Sequence, residues 1–234
     1  MGQAYKLLSL LLSYPGEDLV AAAPVLRRAV AGDSAIPARL KAGLTALVDD
    51  LGRGDPFDAQ ERYVALFDRS RSLSLHLFEH VHGEGRDRGQ AMVDLAELYR
   101  SHGLAIEARE LPDYLPLFLE FLSTLPPGEA RALLAETGHV LAALFQRHRK
   151  RGTAYAVVFE TLSALAGASA GPTDEQATAP DEDPDDLGAL DRAWEEEAVT
   201  FGPGAAGSAA PDGACPAARA VLARMDAAPH GDAA

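Results

Sequence analysis

PARLKAGLTALVDDL, residues 37–51, spaces Leu40, Leu44, Leu47, Val48 and Leu51 three or four positions apart. Side chains at that interval share one face of an α-helix, whereas a half-buried strand would alternate every second residue. The flanks agree: Ser34 and Pro37 open the segment, Gly52 and Gly54 close it, and Asp55-Pro56 supplies a capping residue and a first-turn proline for the next helix. The same punctuation recurs to residue 166. Pro15-Gly16 stops a helix over 7–13, Gly103 follows a long one over 88–102, Pro112 opens 113–124, Pro127 opens 128–149, and a last apolar helix covers 153–166. No alternating β-branched run or Asn-Gly hairpin intervenes. The expected fold class is all-α, a multi-helix bundle of about seven to nine helices.

Working outward, the bundle occupies residues 1–168 and the remainder is of different composition. Residues 172–200 hold eleven acidic groups and one basic one, so most of the formal net charge of −14 lies there. From 169 to 234 large apolar residues are scarce and Pro, Gly, Ala and acids abound, which leaves too little buried surface to offset ordering entropy. This tail is expected to be mostly disordered, with short helices near 187–199 and 216–226.

The 234 residues suit one domain plus extra segments. Hydrophobic residues at 47% and charged residues at 24% exclude a wholly disordered or fibrous chain. A net charge of −14 has the wrong sign for gripping nucleic-acid phosphates or anionic lipid, so neither nucleic-acid binding nor direct membrane insertion is expected. The lone Cys215 excludes an intrachain disulfide framework, a four-cysteine zinc site and a cysteine-held iron-sulfur cluster, and it fits a reducing, cytoplasmic location. No apolar window reaches the roughly 18 residues of a membrane span. The short run at Leu7–Leu12 meets Glu17 and Asp18 without a cleavage site, so it reads as an amphipathic helix and not a signal.

Unusual residues concentrate in SRSLSLHLFEHVHGEGRDRGQ, residues 70–90. His76, Glu79 and His80 spell H-x-x-E-H, which on a helix places two histidines one turn apart for zinc, with the Glu as base. A zinc-dependent hydrolase is therefore the alternative function, although only Glu160 offers itself as a third ligand, by elimination. A phosphate loop is not supported, since G-x-x-x-x-G-K is missing. Pairing of Arg, Asp and His between helices explains the run better, because charges near a core need partners. The second distinctive run is ELPDYLPLFLEFL, residues 110–122. It reads either as a core helix or as one that also lines a peptide groove, with Glu110, Asp113 and Glu120 set along an apolar surface suited to a basic amphipathic helix. Asp113 beside Pro112 would sit at the helix start, where the dipole favours a carboxylate.

Those runs, YVALFDRSRSLSLHLFEHVHGEGRDRGQAMVDLAELY (63–99) and ELPDYLPLFLEFL (110–122), closely resemble the NarJ-type chaperones of respiratory nitrate reductase, also called its delta subunit, within the wider TorD-like group. The likeness covers about residues 4–166 as helical pattern and extends to WEEEAVTFG (194–202). The resemblance implies a cytoplasmic, non-enzymatic chaperone that binds the N-terminal peptide of the nitrate reductase alpha subunit. It would assist molybdenum cofactor insertion before membrane attachment, with cofactor-delivery proteins as further partners and no cofactor or metal of its own. The group's Pro-Asp-His/Tyr motif, which with nearby acids marks the client-binding region, maps to Pro112, Asp113 and Tyr114, with Glu110 and Glu120 as the accompanying acids and Leu117 and Phe118 as further expected client-binding residues on the same helix. The histidine-rich run maps to His76, Glu79, His80, His82, Arg86 and Arg88, without separating client contacts from supports of the fold.

Overall fold

The computed structural model describes residues 2–69, 71–81, 86–106 and 110–167, with Arg86 and Asp87 described by backbone alone. The expected tail over 169–234, its two short helices and His82 lie outside the described residues. Among the described residues ten α-helices follow one another: α1 (Gly2–Leu12), α2 (Glu17–Ala21), α3 (Ala23–Gly32), α4 (Ala38–Leu51), α5 (Pro56–Phe67), α6 (Arg86–Ser101), α7 (Leu115–Thr124), α8 (Pro127–Glu136), α9 (Gly138–Lys150) and α10 (Ala156–Ala166). No strand occurs among the described residues. Two 3-10 turns, Arg71–Leu73 and Leu77–Glu79, fill the interval between α5 and α6.

Local chemistry sets these boundaries. Asp55 caps α5 by accepting the Phe57 N–H at 3.0 Å, and Pro56, with no N–H to satisfy, takes the first turn. Gly167 ends α10 at φ +78°, a left-handed conformation that glycine adopts at no steric cost.

The count exceeds seven to nine because two breaks escaped the periodicity. Ala22 separates α2 from α3, where Pro24 lies in the first turn and cannot donate to the helix before it. The expected helix over 128–149 divides at Thr137, whose hydroxyl donates to the Leu134 carbonyl at 2.8 Å and is followed by Gly138. A side chain that satisfies a carbonyl of the last turn, next to the weakest helix former but proline, offers the backbone an exit there.

The core is built from the predicted apolar stripes. Leu8 and Leu11 of α1, Leu115, Leu119 and Leu122 of α7, and Val158, Phe159 and Leu162 of α10 are all fully buried. Burying one such side chain contributes about 2 kcal/mol, so these helices set the stability of the bundle. α10 touches α1, α4, α8 and α9, and α1 packs along α7. Ser9 of α1 donates to the Pro116 carbonyl at 2.7 Å, and Lys6 pairs with Glu120, fixing the register of α1 against α7.

Candidate functional site

The two unusual runs meet at His76 and Asp113, 37 positions apart. His76 and Tyr114 form an isolated antiparallel bridge, in which the Leu77 N–H donates to the Asp113 carbonyl at 3.0 Å and the Leu115 N–H to the Leu75 carbonyl at 2.8 Å. His76 is extended, at φ −88° and ψ 110°, before the turn Leu77–Glu79. Residues 74–80 are thus not an α-helix, and the premise of the zinc reading fails.

Asp113 sits at the centre with no exposed surface. Its Oδ1 lies 3.1 Å from His76 Nδ1 and its Oδ2 accepts the Phe78 N–H at 3.1 Å. α7 begins two residues later, at Leu115, because both the carboxylate and the carbonyl of Asp113 are engaged by the 76–78 strand of chain and Tyr114 stays extended. The expected helix-start role of Asp113 is therefore corrected: the carboxylate ties two segments together. Its hydrogen bond to His76 raises that imidazole's pKa above the ordinary value. A charged acceptor favours the protonated ring more than partial burial opposes it.

Around this crossing the hydroxyls form a chain. Tyr63 donates to the Leu12 carbonyl at 2.8 Å, so the 3.0 Å contact between Tyr63 and Tyr114 is made by the Tyr114 hydroxyl donating to the Tyr63 oxygen. Burial pushes both phenols up. The ring of His76 lies 5.5 Å from that of Tyr114, and Tyr99 donates to the Pro112 carbonyl at 2.7 Å. Glu79 bonds Arg88 of α6 at 3.3 Å.

His80 is fully buried, and both of its ring nitrogens have partners. Nε2 lies 2.8 Å from the Ser74 carbonyl, which can only accept, so Nε2 carries the proton. Nδ1 then accepts from Arg147 Nη1 at 3.3 Å, and the same guanidinium nitrogen donates to the Ser72 carbonyl at 2.8 Å. Burial lowers the His80 pKa, in keeping with this neutral tautomer. A zinc ion would have to displace these bonds inside the core, and among the described residues no three metal-ligating side chains cluster. Glu160, the third ligand by elimination, pairs instead with Arg39. Pairing of Arg, Asp and His between segments is what the structure contains.

The remaining residues divide by exposure. Phe118 joins Asp113 and His80 in the core; Pro112, Tyr114, Leu117, Glu79 and Arg88 are half-buried; Glu110 and Glu120 are exposed. Leu117 and Glu120 border a half-open cavity of about 220 Å³, walled by Tyr99, Leu104, Ile106 and Phe121. The exposed Leu111 adds apolar surface on the loop before α7. This cavity could take an apolar side chain of a partner, with carboxylates at its edge. Sequence reasoning missed Tyr99, Tyr63 and Arg147. For Arg147 a signal existed, since Val140, Leu144, Arg147 and His148 keep the helical interval of the buried face.

Comparison with known proteins places the chain. The family model for the nitrate reductase delta subunit matches residues 33–161. The nitrate reductase molybdenum cofactor assembly chaperone NarJ of Escherichia coli K12 is 45% identical over 196 residues, 83% of each chain. The nitrate reductase-like protein NarX of Mycobacterium tuberculosis is 38% identical over 136 residues, 58% of this chain and 20% of that one. A crystal structure of an Archaeoglobus fulgidus protein named for redox-enzyme maturation superposes with a TM-score of 0.50 at 25% identity, over 71% of this chain and 94% of the other.

Proposed function

Since the chain belongs to the nitrate reductase delta subunit family, we propose that it is the assembly chaperone of a molybdenum-containing nitrate reductase and not a catalyst. It binds the N-terminal peptide of the alpha subunit, keeps the apoprotein open for cofactor insertion, and delays membrane attachment until insertion is complete. The cofactor is cargo of the client and not a group resident in this chain. A cytoplasmic location follows from that role, and no helix among the described residues is long and apolar enough to cross a membrane.

The observation that carries the client reading is the half-open apolar cavity beside Leu117 and Phe121, edged by Glu120. An amphipathic helix anchors by inserting one or two apolar side chains into such a groove, and basic residues on its flank would meet Glu120 and Glu110. Leu117, Tyr114, His76, Glu79 and Arg88 have surface to offer a client; Asp113, His80 and Phe118 act by holding the walls. Burial of apolar surface gives a negative heat-capacity change on binding.

Calorimetry with the N-terminal peptide of the cognate alpha subunit tests the proposal. Binding should be saturable, weakened moderately by salt down to an apolar remainder, and about tenfold weaker in Leu117→Ala, roughly 1.4 kcal/mol. Absence of heat at high micromolar peptide would overturn the client assignment. A loss of binding no larger than the loss of unfolding free energy would move the client site away from this cavity.

A further inference from the structure

Helices α1 and α7 carry one charged side chain each, Lys6 and Glu120, and the two charges are of opposite sign and paired. Two lone charges on otherwise uncharged helices meet only where the packing register brings them together. Three contacts set that register. Gly2 lies so close to α7 that a Cβ there would stand 2.7 Å from the Ser123 carbonyl oxygen, Lys6 pairs with Glu120, and Ser9 donates to the Pro116 carbonyl at 2.7 Å. The partners descend from 123 to 116 as α1 ascends from 2 to 9, so the helices run antiparallel. With Leu8 and Leu11 fully buried, α1 cannot slide to carry the Lys6 backbone away from Glu120.

Glu120 has a second neighbour. It is the one charged group among the described residues that line the cavity at Leu117 and Phe121. The carboxylate thus stands between a resident cation on α1 and the opening of the cavity. Both side chains of the pair are about half exposed, 44% for Lys6 and 53% for Glu120, so water competes for each. The ammonium is a compact charge on a flexible four-carbon stem, bonded here to one carboxylate oxygen and without the two-pronged grip of a guanidinium. Swinging it into water costs little and moves no backbone.

Given that this cavity takes the client, we infer that Lys6 is a resident counter-ion which a basic side chain of the client displaces from Glu120, so that Lys6 sets how strongly the cavity prefers basic over neutral clients. A client cation arriving at Glu120 either displaces the ammonium or sits beside a like charge, and both subtract from its attraction to the carboxylate. A neutral client leaves the pair in place and meets no such cost. Lys6 therefore narrows the difference between the two. Affinity differences among variants of one interface lie mostly in dissociation, so the returning ammonium shortens the life of the complex. A short life suits a protein that has to let its client go.

The test uses the full chain and two peptides, the N-terminal peptide of the cognate alpha subunit and the same peptide with its Lys and Arg residues changed to Gln. In titration calorimetry Lys6→Gln should bind the basic peptide about threefold more tightly than the native chain does, with a steeper loss of affinity as salt is raised, and should bind the neutral peptide equally. Lys6→Arg, which returns the charge, should bring the affinity back to the native value or below. In a Glu120→Gln background the change of Lys6 to Gln should alter affinity by less than about 1.5-fold, because no pair is left to displace. Equal or weaker binding of the basic peptide by Lys6→Gln, or an equal gain with the neutral peptide, would overturn the role of Lys6 while leaving the client assignment standing. Absence of heat from both peptides with every chain would overturn the two together.

Discussion

Replacing Asp113 by Asn should destabilise the protein by an amount that depends on pH in a defined direction. In the native chain the buried carboxylate accepts from the Phe78 N–H and bonds His76 Nδ1, each at 3.1 Å. Hydrogen bonds to a charged group contribute about 1.5–3 kcal/mol each. An Asn side chain can keep its oxygen on the Phe78 N–H, but its NH2 then faces His76. A neutral imidazole can turn an unprotonated Nδ1 toward that donor, whereas an imidazolium cannot. The His76 pKa is raised in the folded state, chiefly by the bond to Asp113. A raised histidine pKa stabilises fully below the unfolded value of about 6.5 and ceases to do so as pH rises through the folded value. The cost of Asp113→Asn should therefore be about 2–3 kcal/mol at pH 6 and about 1 kcal/mol at pH 8.5. Urea unfolding followed by circular dichroism at the two pH values measures the difference. A cost that is equal at both, or larger at pH 8.5, would refute the assignment of His76 and Asp113 as a charge-assisted pair.

Further outcomes follow from the same geometry. Arg147→Met should lower unfolding free energy by about 2–4 kcal/mol, because the Ser72 carbonyl and His80 Nδ1 lose their buried donor; a thermal melt within the error of native would contradict this. His148 stacks on Phe159 at 4.7 Å, has a buried Nε2 with no hydrogen-bond partner among the described residues, and its pKa is lowered by burial to about 3. A depressed histidine pKa makes stability fall as pH drops below about 6.5, so His148→Phe should flatten the loss between pH 6.5 and pH 3 in acid titrations. Gly43→Ala should cost about 1 kcal/mol by pressing on Val157, and Val157→Ala in the same chain should recover part of it in a double-mutant cycle. A chain ending at Gly171 should keep a cooperative thermal transition, since residues 172–234 are poor in the large apolar groups that a core needs.

The sequence made the helices legible wherever a stripe had room to repeat. The apolar positions named over 37–51 are all buried in α4, and its start is displaced by one residue. What periodicity could not show is where a helix gives way to a competing bond. Thr137 divides α8 from α9 through one hydroxyl, and Asp113 holds back the start of α7 through contacts to residues 35 and 37 positions away. Such bonds exist only once the fold has closed. The candidate site was half legible for the same reason: its residue types were conspicuous in both runs, but nothing local indicated that His76 would face Asp113. Arg147 shows the opposite case, a charge on an apolar stripe, where the pattern carried the information and the prior that arginine is exposed concealed it.

The placement of these groups on α7 explains why a polar crossing and an apolar cavity occur together. One side of α7, at Leu115, Leu119 and Leu122, is fixed in the core it shares with α1, while Leu117 and Phe121 wall the cavity. A helix of ten residues is marginal alone and takes its orientation from its ends and its packing. At its N-terminal end the Asp113 carboxylate and carbonyl are bonded to the 76–78 segment, and further along Glu120 is paired with Lys6 of α1. The cavity walls are thus held by groups that do not line it, apart from Glu120. Substitutions at Asp113 or His80 should disturb binding only through stability, in proportion to it, whereas Leu117 should alter binding beyond any change in stability. Glu120 belongs to both sets, so Glu120→Gln separates charge from packing: the side chain keeps its shape at the cavity edge, and only the attraction to Lys6 and to a basic client is removed.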